Sequence, residues 1–322
     1  MKPLKYSLEG NFKYYFASIF IFIAFTFLIA EIAIRLLTFS NGLGIGSANE
    51  RWNSKYWTPI NQLGYRDYAI EIADSRPSVI FLGDSATAGN GIKFEETFYY
   101  SVRKSLDENF RAINISRGGA STGQEKYNLS ELITKINPNI DTLIWQVHPN
   151  DIEDYVRFPK LKRNILRRAL SRVSDLYSFF DILFVSNIWS KGYVEALYLG
   201  HRDENIMKKH LVDINDITSS LKNNNSKIIF LAIPFLGNKD SLERSEVYIS
   251  KLRENFINNC KYNDYFIDIT PISEGFNDHD RVVSFLDQHG SPELNSEIAT
   301  LLTKVISGDY KELDEGVTPC NF

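Results

Sequence analysis

The chain has 322 residues, of which 43% are hydrophobic and 24% charged, a composition that excludes intrinsic disorder and can support a sizeable core. Its net charge of -4 gives no global basis for nucleic-acid binding, and the sequence holds neither a fixed-period repeat nor a low-complexity tract. Two cysteines, Cys260 and Cys320, are too few for a metal framework or a disulfide-stapled scaffold; a single bridge and two unrelated thiols are both compatible with the sequence.

From Tyr14 to Leu37 the chain reads YYFASIFIFIAFTFLIAEIAIRLL, with no charge between Lys13 and Glu31. This length and apolarity predict a helix that crosses a bilayer. A cleaved signal peptide is the competing expectation, but no small-x-small site follows, and Glu31 and Arg35 continue the run at helical spacing. Lys2, Lys5 and Lys13 precede the span against Arg35 at its far end, so the positive-inside rule puts the N-terminus in the cytoplasm and the bulk of the chain outside. The expected division is a cytoplasmic segment over 1–13, an anchor over 14–38, a linker and leading segment over 39–77, and one domain over 78–322. Ser40 to Asn49, rich in Gly, Ser and Asn, reads as a tether, Arg51 to Trp57 as a docked aromatic segment, and Asn61 to Asp67 as a structural turn.

The apolar run Val79-Ile80-Phe81-Leu82 suits a strand buried on both faces of a parallel sheet. Gly83 permits a sharp turn, and Asp84, Ser85 and Thr87 favour a helix start. Thereafter strand and helix alternate: a helix near Glu95 to Leu106, a strand Arg111 to Ile115, a glycine turn at 117–120, a helix from about Gln124 to Lys135 and a strand Thr142 to Val147. Later come a helix around Asn205 to Leu221, the strand Lys227 to Ile233, a helix near Leu242 to Asn259, the strand Tyr265 to Ile269 and a last helix from about Pro292 to Ile306. That alternation implies βαβ units, a parallel sheet of about five strands and helices on both faces: an α/β/α sandwich. One stretch, about 152–205, interrupts it. Arg157, Lys160, Lys162, Arg163, Arg167, Arg168 and Arg172 occur there between Tyr155 and Ser174 with no acidic residue, and Leu166, Leu170, Val173 and Tyr177 form an apolar stripe. This predicts a basic amphipathic helix that is either a solvated face or a contact for anionic lipid or acidic glycan. The apolar continuation Leu176 to Trp189 is too short to span and reads as a helix packed on the domain.

Four small constellations follow predicted strands or precede a helix: Gly83-Asp84-Ser85, Gly119, Asn150-Asp151 and Asp287-Gln288-His289. Right-handed crossovers put the first three at one sheet edge, with the fourth within reach. The loop after the first strand lacks the Gly-Lys-Ser/Thr ending of a phosphate loop, position 87 is Thr where a nucleophile elbow needs Gly, and no His pair has a zinc-like spacing. No cofactor and no metal is therefore expected. Acyl transfer needs a nucleophile, a base, a group that orients the base, and oxyanion donors, all of which these constellations can supply. Each residue alone also has a plain structural role: Ser85 or Asn150 as a cap, Gly119 as a turn, Asp287 as a helix-start residue.

On these residues the chain resembles a membrane-anchored bacterial member of the SGNH, or GDSL-like, hydrolase superfamily, over about Asn61 to Ile306. Gly83-Asp84-Ser85 matches the nucleophile block, Gly119 the second-block glycine, Asn150 the third-block asparagine and His289 the final histidine. The resemblance implies a flavodoxin-like three-layer sandwich and a serine esterase, with His289 as base, Asp287 as its partner, and Ser85, Gly119 and Asn150 around the oxyanion. Asp84 and His148 are expected beside the substrate. Three departures stand out: His148 replaces the third-block glycine, Leu294 the glycine after the histidine, and Asp287 precedes the histidine by two residues where the family uses three and this chain has Leu286. The outward location and the basic stretch make an O-acyl group, acetyl among them, on a cell-envelope polysaccharide or lipid the expected substrate. An O-acyltransferase using the same site, and a non-catalytic glycan-binding or envelope-assembly protein, are the alternatives.

Overall fold

In the computed structural model, which describes residues 8–38, 46–158, 165–222, 226–309 and 316–320, helix α1 (Leu8–Thr38) contains the apolar stretch. Within it Tyr14–Leu37 is long and apolar enough to cross a membrane, and its apolar window is unburied by the rest of the chain. Residues 1–7 and 39–45, with Lys2, Lys5 and most of the expected tether, lie outside the described residues. Helix α2 (Gly46–Tyr56) begins where the tether was expected to continue. Its Trp52 is buried and meets Tyr56 with ring centroids 5.5 Å apart, so the aromatic segment orders the preceding turns into helix.

The alternating unit then unfolds in order: β1 (Ser78–Leu82), the short helix α3 (Ser85–Ala88), α4 (Phe98–Ser105), β2 (Arg111–Asn114), α5 (Thr122–Lys135) and β3 (Ile140–Val147). The helix expected from Glu95 is broken at Thr97, whose hydroxyl accepts from the Tyr100 N–H and starts α4 afresh, as a β-hydroxy N-cap does. The interruption follows as α6 (Ile165–Val173), α7 (Asp175–Phe180), a π-helical turn over Asp181–Ser186, and α8 (Asn187–Arg202). Lys160, Lys162 and Arg163 lie outside the described residues. The regular alternation resumes with α9 (Glu204–Lys222), β4 (Lys227–Ala232), α10 (Lys239–Asn259), β5 (Tyr265–Asp268), α11 (Thr270–Glu274), α12 (Asp278–Arg281), α13 (Pro292–Ser307) and β6 (Val317–Pro319).

The strands form one sheet in the order β2-β1-β3-β4-β5-β6. The first five are parallel, as the alternation predicts, and β6 adds an antiparallel edge that was not expected. Three residues ending in a proline are too short to signal a strand. What holds β6 in place is its neighbour, for Cys320 follows it directly and is bridged to Cys260. Both sheet faces are covered, which is why the strands read as unbroken apolar runs. Ile80, Leu82, Trp145 and Phe230 pack with Leu132, Ile217, Leu252 and Phe256 of α5, α9 and α10 on one face. Val79, Phe81, Ile144 and Ile267 pack with Phe98, Val102, Ile298 and Leu302 of α4 and α13 on the other. The carboxyl ends of β1, β2 and β3 are thereby aligned along one edge.

Candidate active site

At that edge β1 gives way to Gly83, where any side chain would be crowded out: a Cβ would stand 2.5 Å from Gln146 Oε1 and 2.6 Å from Thr87 Oγ1. Gln146 of β3 accepts from the Asp84 N–H at 3.0 Å and from the Thr87 hydroxyl at 3.0 Å, which clamps the turn to the sheet. Asp84 caps α3 by accepting from the Ala86 N–H at 2.9 Å, and Ser85 is therefore the first residue of the helix, half-buried with its backbone N–H unused by the helix ladder. The second block is tied to the first, since the Arg117 N–H donates to the Gly83 carbonyl at 3.2 Å. Gly119 has φ 71°, the left-handed region that favours glycine, and nothing stands within 4 Å of where its Cβ would be.

The third block joins the same turn through a side chain. Asn150 Nδ2 donates to Asp84 Oδ2 at 3.1 Å, and Asn150 Oδ1 accepts from His148 Nδ1 at 2.7 Å. With its oxygen committed, the amide group is held by both ends and its second N–H remains for another acceptor. The His148 ring rests edge-on against Phe235, centroids 4.8 Å apart. Burial is the main cause that lowers its pKa, opposed by Asp84 and the Asn150 hydrogen bond, while His289 pushes the same way as burial. The imidazole in place of glycine thus orients Asn150. Asp84 is buried, at 1% exposure, and its carboxylate accepts from the Ala86 N–H and from Asn150 Nδ2.

The fourth block closes on itself. The Val283 N–H donates to the His289 carbonyl at 2.9 Å, and the Asp287 N–H donates to Ser284 Oγ at 3.0 Å. Asp287 Oδ1 accepts both from the His289 backbone N–H, at 3.1 Å, and from His289 Nδ1 in a short contact. The two-residue spacing therefore delivers the carboxylate to the imidazole through an Asx-type turn, and Leu286, three residues before the histidine, packs at the same apolar cluster as Phe179 and Ile182. Asp287 also reaches the nucleophile loop: a Cβ on Gly91 would lie 2.7 Å from its Oδ2. Burial would lower the pKa of His289, but the hydrogen bond and charge of Asp287, with the charge of Asp84, outweigh it and the net shift is upward. Nδ1 being held by the carboxylate, Nε2 is the nitrogen free to exchange a proton.

Sequence reasoning passed over several residues that hold these loops. Arg66, in the turn read as structural, is 1% exposed and donates to the carbonyls of Ala88, Gly89, Ile92 and Tyr56 at 3.1, 2.6, 2.9 and 2.9 Å. It therefore braces the segment that leaves Ser85. Burial lowers its pKa to about 10, against the charges of Glu95 and Glu96. His201 and His210, without context in the sequence, sit beneath the third block: His201 Nε2 bonds the Pro149 carbonyl at 2.8 Å, and His210 Nε2 bonds the Tyr248 hydroxyl at 3.0 Å. They arrive from α8 and α9, far along the chain, so no local motif signals them. Among the described residues no group of three or more His, Cys, Asp or Glu side chains gathers as a metal would require.

No family model and no curated protein matches the sequence. Among solved structures, the chain is similar to TesA, with 10% identity, a TM-score of 0.47 and 72% of this chain and 98% of that one covered. It is similar also to the acetylxylan esterase Axe2 from Geobacillus stearothermophilus, with 14% identity, a TM-score of 0.45 and 73% and 96% covered. For Est24, a carbohydrate acetylesterase from Sinorhizobium meliloti, the identity is 12%, the TM-score 0.43 and the coverage 73% and 100%. At such distances the strand order and the residue contacts above carry the description of this chain.

Proposed function

We propose that the chain is a serine-dependent carboxylic ester hydrolase that works through an acyl-enzyme. The observation that carries this is the Asp287–His289 pair, closed by its own loop and set against the loop that follows Ser85. A neutral hydroxyl is a poor nucleophile, so His289 Nε2 takes the Ser85 Oγ proton as Oγ bonds to the acyl carbon. Asp287 fixes the imidazole tautomer and stabilises the imidazolium that forms. The developing oxyanion is met by the N–H groups of Ser85 and Gly119 and the second N–H of Asn150, each worth about 3 kcal/mol of barrier. As the C–O bond to the leaving group breaks, His289 returns its proton to the departing alcohol. Water then gives a proton to His289 and its oxygen to the acyl carbon, and collapse restores Ser85 and releases a carboxylic acid.

The substrate class we propose is an O-acyl group, acetyl among them, on a cell-envelope polysaccharide or lipid. It is supported by an N-terminal helix able to anchor the chain, by a charge asymmetry across it that favours an outward domain under the positive-inside rule, and by the Cys260–Cys320 bridge, which suits an oxidising compartment. The test is hydrolysis of a short-chain activated ester by the purified full chain, with and without an acceptor glycan. Release of the free acid, abolished in Ser85→Ala, is the expected result. Acyl transfer to the glycan in place of water would replace hydrolase by acyltransferase, and no turnover by the folded wild type would leave a binding protein.

A further inference from the structure

The anchor helix does not end in a free tether. Near its outer end, Glu31 accepts from Ser174 Oγ at 2.8 Å and from the backbone N–H groups of Asp175 and Leu176, each at 3.0 Å. It thereby caps α7, whose first N–H groups have no partner within the helix. Arg35 pairs with Glu31 at 2.6 Å and donates to the Val173 carbonyl at 2.7 Å. Asp175 in turn binds Arg51 of α2 at 2.6 Å. Glu31 lies about 26 Å along the helix from Tyr14 at about 1.5 Å per residue, so in an anchored chain it stands near the outer boundary of a hydrocarbon core about 30 Å thick. The junction of α6 and α7 is fixed at that depth.

Around this junction the interruption exposes large apolar side chains that a helix packed on the domain would bury. Ile165 is 87% exposed, Leu166 66%, Val173 65%, Phe184 63% and Ile188 75%. The same stretch carries Arg167, Arg168 and Arg172, and Arg167 is held by Asp181 at 2.7 Å. Apolar side chains flanked by arginines at headgroup depth are the composition of an interfacial helix. On its other side Phe179 and Ile182 pack at the same apolar cluster as Leu286, the neighbour of Asp287.

We propose that α6, α7 and the start of α8 lie in the outer membrane–water interface, with Leu166, Phe184 and Ile188 inserted among lipid acyl chains, and that this platform holds the Asp287–His289 loop at the bilayer surface. The esterase would then draw its substrate from the membrane plane, as an acylated lipid or a lipid-linked glycan. The inference rests on the anchor assigned to α1 and deepens the proposed function.

Full-length Phe184→Cys, Ile188→Cys and, as control, Ile72→Cys, each bearing an environment-sensitive fluorophore, test this in vesicles of phosphatidylcholine with phosphatidylglycerol. Ile72 is exposed and leads toward the amino end of β1, the far side of the sheet from the site. The expected result is a blue-shifted emission at 184 and 188, with several-fold stronger quenching by doxyl-labelled lipid than at 72. Probes at 184 and 188 as open to aqueous iodide as the probe at 72, in protein that stays with the vesicles on alkaline extraction, would overturn the inference and give the patch to a soluble glycan or protein. Protein that leaves the vesicles on extraction would overturn the anchor and the platform together. Neither outcome bears on hydrolysis of a soluble ester, which reports the catalytic assignment separately.

Discussion

Asp287 reaches His289 from only two residues away because one carboxylate oxygen accepts from both the backbone and the ring of the histidine. The raised pKa of His289 has a signed consequence. Catalysis needs the neutral base, so kcat/KM is expected to fall with decreasing pH through a value above the ordinary histidine range of about 6.5. Asp287→Asn removes the hydrogen-bonded charge but leaves the burial that lowers the pKa. Its acid limb should move to lower pH while kcat drops by about 10^3- to 10^4-fold; a pH–rate profile measures both, and an unmoved limb would contradict the pairing. Asn150→Ala should lower kcat by about 10^2- to 10^3-fold with little change in KM, as loss of an oxyanion donor does. His148→Gly should cost about fivefold in kcat, the worth of the one hydrogen bond that fixes the Asn150 amide. At this scale the turn after β1 was legible, since Gly83, Asp84 and Ser85 follow an unbroken apolar strand. The burial of Asp84 was not, because it depends on Asn150 arriving 66 positions later along the chain.

Among the elements, the turn over Asn61 to Asp67 illustrates a limit of local patterns. Its Gly and Asn signal a turn, but only the fold reveals that Arg66 collects four carbonyls around the loop after α3. Arg66→Met, which keeps the aliphatic stem, should destabilise the domain by about 3 kcal/mol by leaving buried carbonyls unpaired, visible as a lowered urea midpoint; a change under about 0.5 kcal/mol, typical of surface sites, would contradict the brace. The Cys260–Cys320 bridge closes a separation of 60 residues, worth about 4 kcal/mol by chain entropy. Cys320→Ser should accordingly lower Tm by about 10 °C, and an unchanged Tm would argue against the bridge. Strand β6 escaped the sequence because it is three residues long, while the ends of α5, α9 and α13 were read to within about two residues because caps and periodicity coincide there.

Across the whole molecule, the parallel sheet and its two buried faces were legible from apolar runs alternating with amphipathic helices, since a parallel sheet must be covered on both sides, whereas the strand order emerged only with the fold. What the sequence could not place was the interruption over about 152–205. Leu176 to Trp189 read as a helix packed on the domain, yet Phe184 and Ile188 within it are exposed while Leu176 is buried, because burial depends on neighbours that a linear pattern does not reveal. The central claim is that Ser85 is a nucleophile activated by His289, and covalent labelling tests it most directly. The full chain treated with an active-site organophosphonate should carry one adduct, located by peptide mass spectrometry at Ser85, with labelling slowed by orders of magnitude in a His289 to Ala variant. An adduct elsewhere, or equal labelling of Ser85→Ala, would contradict the account.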